Sequence, residues 1–371
     1  MVTRNTNLSR RQFVGNVSVA ASSILCGYPQ ILLAQAADLA ERQRALNLLE
    51  AQPSFDLHCH PGLFFTKGLP RYPGPEAVAR KVDEMLTGRL WGGFFAFVSD
   101  MKILQRDGGR LRASRSFEPG EAWAEYERQI VTVKELSEVV PVGLATQANE
   151  LEAIPSQGRV AAFVACEGGD CLEGQVGRLE RLYADGVRSL QLVHYAQNEL
   201  GDLQTEDPIH GGLSQVGREV VQEMNRLGIV IDLAHASFAT TRDVAELSDA
   251  PIILSHSALK HGAKQHPRLL DPDHADVVAA TGGVIGMWPL GYANDTFAEF
   301  VDNTLQLVDL VGIDHVGLGT DMGSSYRSVL DNYHQLPDWT AALLANGLSE
   351  SDVSRLVGGN AHRVLREVLQ R

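Results

Sequence analysis

Arg218–Ser237 reads REVVQEMNRLGIVIDLAHAS, which is a helix, a strand and a histidine in that order. From Leu213 to Leu227 the apolar residues Val216, Val220, Val221, Met224 and Leu227 recur at helical spacing, so one face of a helix is marked for burial. Ile229–Leu233 is then a short, nearly continuous apolar run, the pattern of a strand covered on both faces. His235 follows directly, where a parallel strand would deliver its last side chain into a loop.

Working outward from this stretch, the unit recurs. Short apolar runs occupy Ser54–Leu57, Gly92–Val98, Val160–Cys166, Ser189–Val193, Ile229–Leu233, Ile252–Leu254, Gly283–Met287 and His315–Gly319, with helical segments between them. Strand then helix, eight times over, predicts an α/β fold of the (β/α)8 barrel type. The alternative is a doubly wound open sheet, but no glycine-rich phosphate loop follows the first strand. After residue 37 no internal repeat, heptad or low-complexity tract interrupts the pattern, so 37–371 is expected to be one domain. The 35 glycines suit a chain that must turn sharply at many strand–helix junctions.

The net charge of −14 disfavours nonspecific nucleic-acid binding, because a phosphate backbone would be repelled. Residues 1–36 have a different character. Ser9-Arg10-Arg11-Gln12-Phe13-Val14 is a twin-arginine pattern, followed by an apolar, small-residue run from Val17 to Leu33 and by Ala34-Gln35-Ala36. This predicts a Tat-type signal peptide cleaved after Ala36, hence a periplasmic or secreted protein handled by the Tat export machinery. Gly27, Tyr28, Pro29 and Gln30 interrupt the apolar run, so it makes a poor membrane span, and none is expected after processing. Leu25 is too bulky for a lipoprotein site at Cys26. Cleavage would leave Cys59, Cys166 and Cys171, an odd number, and the last two are expected to be free buried thiols.

A barrel gathers the C-terminal ends of its strands into one mouth. His58 and His60 close the first run, Glu167 the third, His194 the fourth, His235 the fifth, His256 the sixth and Asp321 the eighth. A histidine after a strand is commonplace; six of eight strand ends carrying a metal-capable group is not. Imidazole and carboxylate suit zinc and similar ions. His58 and His60 share a side of an extended strand and can grip one ion, while His235 and His256, from neighbouring strands, can hold a second. A carboxylate such as Glu167 can bridge two cations.

In these segments the chain resembles the membrane (renal-type) dipeptidase family of the amidohydrolase superfamily. The resemblance is carried, in order, by His58-Cys59-His60, Glu167-Gly168-Gly169, Leu192-Val193-His194, Asp232-Leu233-Ala234-His235, Ser255-His256-Ser257 and Gly319-Thr320-Asp321. Gly212-Leu213-Ser214, Gly358-Gly359-Asn360 and the stretch Arg218–Ser237 add to it, from about residue 53 to the end. The resemblance implies two divalent ions, zinc by preference: one on His58 and position 60, one on His235 and His256, with Glu167 shared. It implies that His194 polarises the scissile carbonyl, that Arg268 receives the substrate carboxylate and that Asp321 acts near the attacking water. The activity implied is hydrolysis of a small peptide by a metal-bridging hydroxide, and resembling proteins are often dimers.

One position departs from the family. Where it has His-x-Asp on the first strand, this chain has His58-Cys59-His60. A neutral ligand replaces an anionic one, which raises the positive charge of the site and lowers the pKa of a bound water. That departure motivates a second expectation, hydrolysis of a lactam, lactone or other cyclic amide. A periplasmic binding protein without turnover is a third, and retention of every candidate ligand counts against it.

Overall fold

A computed structural model describes residues 27–370 apart from 109 and 325. A helix spans Gly27–Ala51, and all the strands lie in one unit, Glu41–Arg371. The twin-arginine segment and the residues up to 26 lie outside the described part. No helix among the described residues is long and apolar enough to cross a membrane.

The strands are β1 Phe55–Cys59, β2 Gly92–Val98, β3 Leu104–Asp107, β4 Arg110–Ala113, β5 Val142–Ala145, β6 Val160–Glu167, β7 Val187–Gln191, β8 Val230–Asp232, β9 Ile253–Ser257, β10 Val284–Met287 and β11 Val316–Leu318. Eight of them close a parallel ring in the order β1, β2, β6, β7, β8, β9, β10, β11 and back to β1. Every run singled out in the sequence is a ring strand, with ends displaced by up to three residues. The fold is a (β/α)8 barrel, as expected.

Two features were not foreseen. β5 is a ninth parallel strand, paired with the first half of β6 (Val142↔Val160 to Ala145↔Phe163), while β7 pairs with the second half (Val164↔Val187 to Cys166↔Leu190). Its four residues, VGLA, are too few to stand out as a strand. β3 and β4 form an antiparallel hairpin in the connection after β2. Their mostly charged sequence, LQRD and RLRA, conceals a strand pair exposed to water on one face.

Inside the ring Phe55, Phe94 and Phe163 meet edge to face, with centroids 5.2 and 5.7 Å from Phe55. The C-terminal helix Asn360–Leu369 joins this cluster through Ala361, Val364, Leu365 and Val368, against the first residues of β8, β9 and β10. The other end of the ring is left for polar groups. There Gly286 and Gly319 let β10 and β11 approach β9, because a Cβ on either would collide with the Ser255 carbonyl. The outer helices follow the sequence pattern. In the helix Gln215–Leu227 Val220, Val221 and Met224 are buried, and Ser214 caps its start by accepting from Gly217 N.

Candidate metal centre

The eight strand ends converge as the barrel requires. Glu167, at the end of β6, sits among five imidazoles. Its Oε1 lies 3.4 Å from His58 Nε2, 3.3 Å from His194 Nε2, 3.5 Å from His235 Nε2 and 3.9 Å from His256 Nε2, and its Oε2 lies 3.4 Å from His60 Nε2. All are almost wholly buried. Two groups suited to a metal ion result, His58–His60–Glu167 and Glu167–His235–His256, with one carboxylate common to both.

The donor set fits a pair of cations. His58 Nε2 and His60 Nε2 are 3.1 Å apart, and so are His235 Nε2 and His256 Nε2. Two nitrogens bound at 2.0–2.1 Å to a tetrahedral ion stand about 3.3 Å apart. For three of the four rings the other nitrogen explains why the Nε2 lone pair faces inward, while His235 Nδ1 has no partner among the described residues. His60 Nδ1 donates to the Ala96 carbonyl at 2.7 Å, and Ser255 Oγ lies 3.0 Å from His256 Nδ1 and 3.3 Å from His58 Nδ1. Asp232 holds this arrangement from behind, its Oδ1 accepting from Ser255 N and Ala234 N at 3.0 Å each.

Electrostatics agree with that reading. Burial, Arg268 and His194 push His235 well below the usual imidazole range, and burial, His58 and Arg268 do the same to His256, so both rings are neutral, as a metal ligand must be. Burial would raise the Glu167 carboxyl, but His194 and His58 outweigh it and keep it ionised. Burial would lower His60, yet Asp321, 3.3 Å away, and Glu167 raise it to about 10. Two carboxylates facing one imidazole demand a positive charge at that point, and a metal ion satisfies the demand as well as a proton.

His194 is built differently. Its Nδ1 lies 2.7 Å from Asp100 Oδ1, while Asp100 Oδ2 accepts from Tyr195 N and Ala196 N at 3.0 and 2.9 Å. Burial opposes charge on His194, but Asp100 and Glu167 prevail and raise its pKa. Arg268 is buried with Nη1 donating to Gln204 Oε1, and its Nε and Nη2 have no partner among the described residues. Such a free guanidinium edge can bind a carboxylate bidentately. Its guanidinium carbon lies 5.2 Å from the Trp288 ring.

All eight residues expected from the sequence therefore surround one centre. The backbone is strained at two of them, with φ of +69° at His235 and +51° at Asp321, as occurs where a functional geometry is imposed. Sequence reasoning missed Asp100, which follows β2, and Trp288, which follows β10. These are the two strand ends to which no role was given, so the position itself was the available signal. Cys166 and Cys171 are free and buried, as expected, with their Sγ atoms 3.9 Å apart, and Cys59 is free and buried as well.

The family model for membrane dipeptidases, peptidase family M19, matches residues 42–371. The chain belongs to the membrane dipeptidase family. It is similar to dipeptidase verJ of Clonostachys rogersoniana, 34% identical over 234 residues, which are 61% of this chain and 60% of that protein. Dipeptidase aclJ of Aspergillus oryzae is 34% identical over 224 residues, 57% of this chain and 53% of that one. The chain thus spans little more than half to three-fifths of these relatives. Among solved structures, the probable dipeptidase PvdM from Pseudomonas aeruginosa aligns with 89% of this chain and 99% of its own, at a TM-score of 0.75 and 22% identity. A Rhodobacter sphaeroides metallo peptidase, liganded with a phosphinate mimic of the dipeptide L-Ala-D-Ala, aligns with 85% of this chain and 99% of its own, at 0.73 and 22%. Both show the shared fold.

Proposed function

We propose that this member of the dipeptidase family is a zinc-dependent dipeptidase with a binuclear site. The observation that carries the reading is Glu167, placed within ligand distance of both histidine pairs. His58 and His60 would hold one ion, His235 and His256 the other, and Glu167 both. When bound, the ions would supply Lewis acidity and would lower the pKa of the attacking water.

The chain's own groups supply the rest. Arg268 offers its Nε/Nη2 edge to the free carboxylate of a short peptide, which fixes the carbonyl over Glu167. His194, whose pKa Asp100 raises against the effect of burial, donates from Nε2 to the oxygen that becomes negative, an effect of about 3–4 kcal/mol for a well-placed donor. Asp321 takes the proton of the attacking water and returns it to the departing amine. Binding of the chain terminus by one buried arginine favours dipeptides over longer or amidated substrates.

Metal quantification paired with a dipeptide screen tests the reading. Two zinc equivalents and hydrolysis of free dipeptides are expected; metal-replete protein that cleaves none would end it. His60 favours a second reading, cyclic-amide hydrolysis on the same residues, because a neutral ligand makes the site more electrophilic. Lactams cleaved faster than dipeptides in the same screen would select it. For residues 1–36 we retain the reading of a Tat signal. Fractionation should find the mature protein outside the cytoplasm beginning at Ala37, and an intact Met1 there would overturn it.

A further inference from the structure

The cavity above the metal centre has a volume of about 180 Å³ and two unlike ends. Arg268 is not itself among the lining residues, but its guanidinium carbon lies 5.2 Å from the ring of Trp288, which does line the cavity and is itself 5.2 Å from His256, so a carboxylate held by Arg268 would sit on the side of the second histidine pair. The opposite end lies over His60, whose ring is 5.1 Å from Phe65. A dipeptide anchored on Arg268 with its carbonyl at Glu167 therefore places its N-terminal residue over His60.

That end is walled by Leu63, Phe65, Val98, Met101, Leu104 and Leu111. The first four come from the ends of β1 and β2 and the turns after them. The last two form the roof, and the hairpin register explains why. Leu104 pairs with Ala113 and Arg106 with Leu111, so these four share one face, while Gln105, Asp107, Arg110 and Arg112 occupy the other. Arg106 stands over the Tyr326 ring at 5.4 Å. Arg71 is the one lysine or arginine among the described lining residues; it is exposed and donates to the Met101 carbonyl at 2.7 Å. Charged groups gather instead in a neighbouring cavity of about 280 Å³ lined by Arg110, Arg112, Glu206 and His266. Leu111 lines both cavities, as do Tyr195 and Tyr326, whose hydroxyls are 3.2 Å apart.

We infer that the β3–β4 hairpin is a specificity lid whose Leu104 and Leu111 select substrates with an apolar N-terminal side chain. This rests on the dipeptidase reading for the direction in which the substrate lies. An isobutyl group placed there replaces water on an apolar wall, whereas a carboxylate loses its hydration and meets one cationic side chain, Arg71, whose Nη2 already donates to the Met101 carbonyl.

Binding rather than turnover is the test. Metal-loaded protein is titrated calorimetrically with two phosphinate pseudodipeptides that share a C-terminal alanine and carry an isobutyl or a carboxyethyl group on the N-terminal side. The isobutyl ligand is expected to bind at least about tenfold more tightly. Leu111→Lys and Leu104→Lys, both on a half-exposed hairpin, should each reduce or invert that ratio while circular dichroism stays unchanged. Equal affinities in the unaltered protein, no binding of either ligand, or a ratio indifferent to both substitutions overturns the assignment. A preserved preference in a protein that cleaves no dipeptide would instead sink the proposed reaction and leave the lid standing.

Discussion

Asp100 shows how much a single residue can decide. It touches none of the candidate ligands, yet both its oxygens are used, one on His194 Nδ1 and the other on two backbone amides. A neutral amide in its place would lose the charge that raises the His194 pKa and can turn the ring. Asp100→Asn is therefore expected to lower kcat by about ten- to a hundredfold with zinc content unchanged, measured by steady-state kinetics and metal analysis. Unaltered kcat would show that His194 needs no such support. Arg268 acts on the other kinetic constant. Arg268→Ala should raise KM for dipeptides far more than for their C-terminal amides, and equal effects on both would remove the carboxylate clamp. The histidines were legible in the sequence because each ends an apolar run, and Asp100 was less so because Ser99 separates it from its strand. Gln204, on Arg268, and Ser255, between two imidazoles, gave no signal at all, since amides and hydroxyls are common in loops and strands and only their neighbours give them meaning.

At the scale of elements, legibility followed burial. The eight ring strands are covered on both faces and announce themselves as apolar runs, whereas the hairpin β3–β4 meets water on one side and hides among charged residues. The hairpin is also lightly held. Arg112 reaches Glu206 at 3.1 Å and Asp107 at 3.4 Å, with Arg112 and Asp107 exposed to solvent and Glu206 partly so. Such pairs contribute about 0–1 kcal/mol. Arg112→Ala should leave the melting temperature almost unchanged and yet raise KM several-fold through a looser roof; a melting temperature lowered together with kcat would mean that the hairpin is part of the frame. The junction of β1 and β11 is the contrasting case. Buried Asp56 accepts from His58 N at 3.1 Å, Thr320 N at 2.9 Å, Thr320 Oγ1 at 2.5 Å and Tyr333 OH at 2.7 Å, tying the two strands that present His58 and Asp321. Asp56→Ala orphans those donors in the interior and should cost about 2–4 kcal/mol in a denaturant titration, where a change within error would deny the tie any structural weight.

For the whole molecule, the barrel turns distance in sequence into proximity. Residues as far apart as His58 and Asp321 meet because a closed ring has only one C-terminal mouth. That much was legible from strand order alone. The depth of the site was not, since no pattern in the chain says that His58, His60, Glu167, His235 and His256 are each exposed by 3% or less. Depth has a thermodynamic consequence. Imidazoles and carboxylates withdrawn from water destabilise the native chain unless a charge joins them, so ions that bind the folded protein and not the unfolded one add to its stability. At free metal a hundredfold above Kd the gain is about 2.7 kcal/mol per site. Zinc-replete protein should melt several degrees above chelator-treated protein, and restoring the metal should restore the difference. Glu167→Gln separates a shared ligand from an incidental neighbour: one oxygen is replaced by an amide nitrogen that cannot ligate, so bound zinc should fall below two equivalents and most of the thermal gain should vanish. If that variant kept both equivalents and the full shift, the two histidine pairs would be holding their ions independently, and the bridge through Glu167 would be wrong.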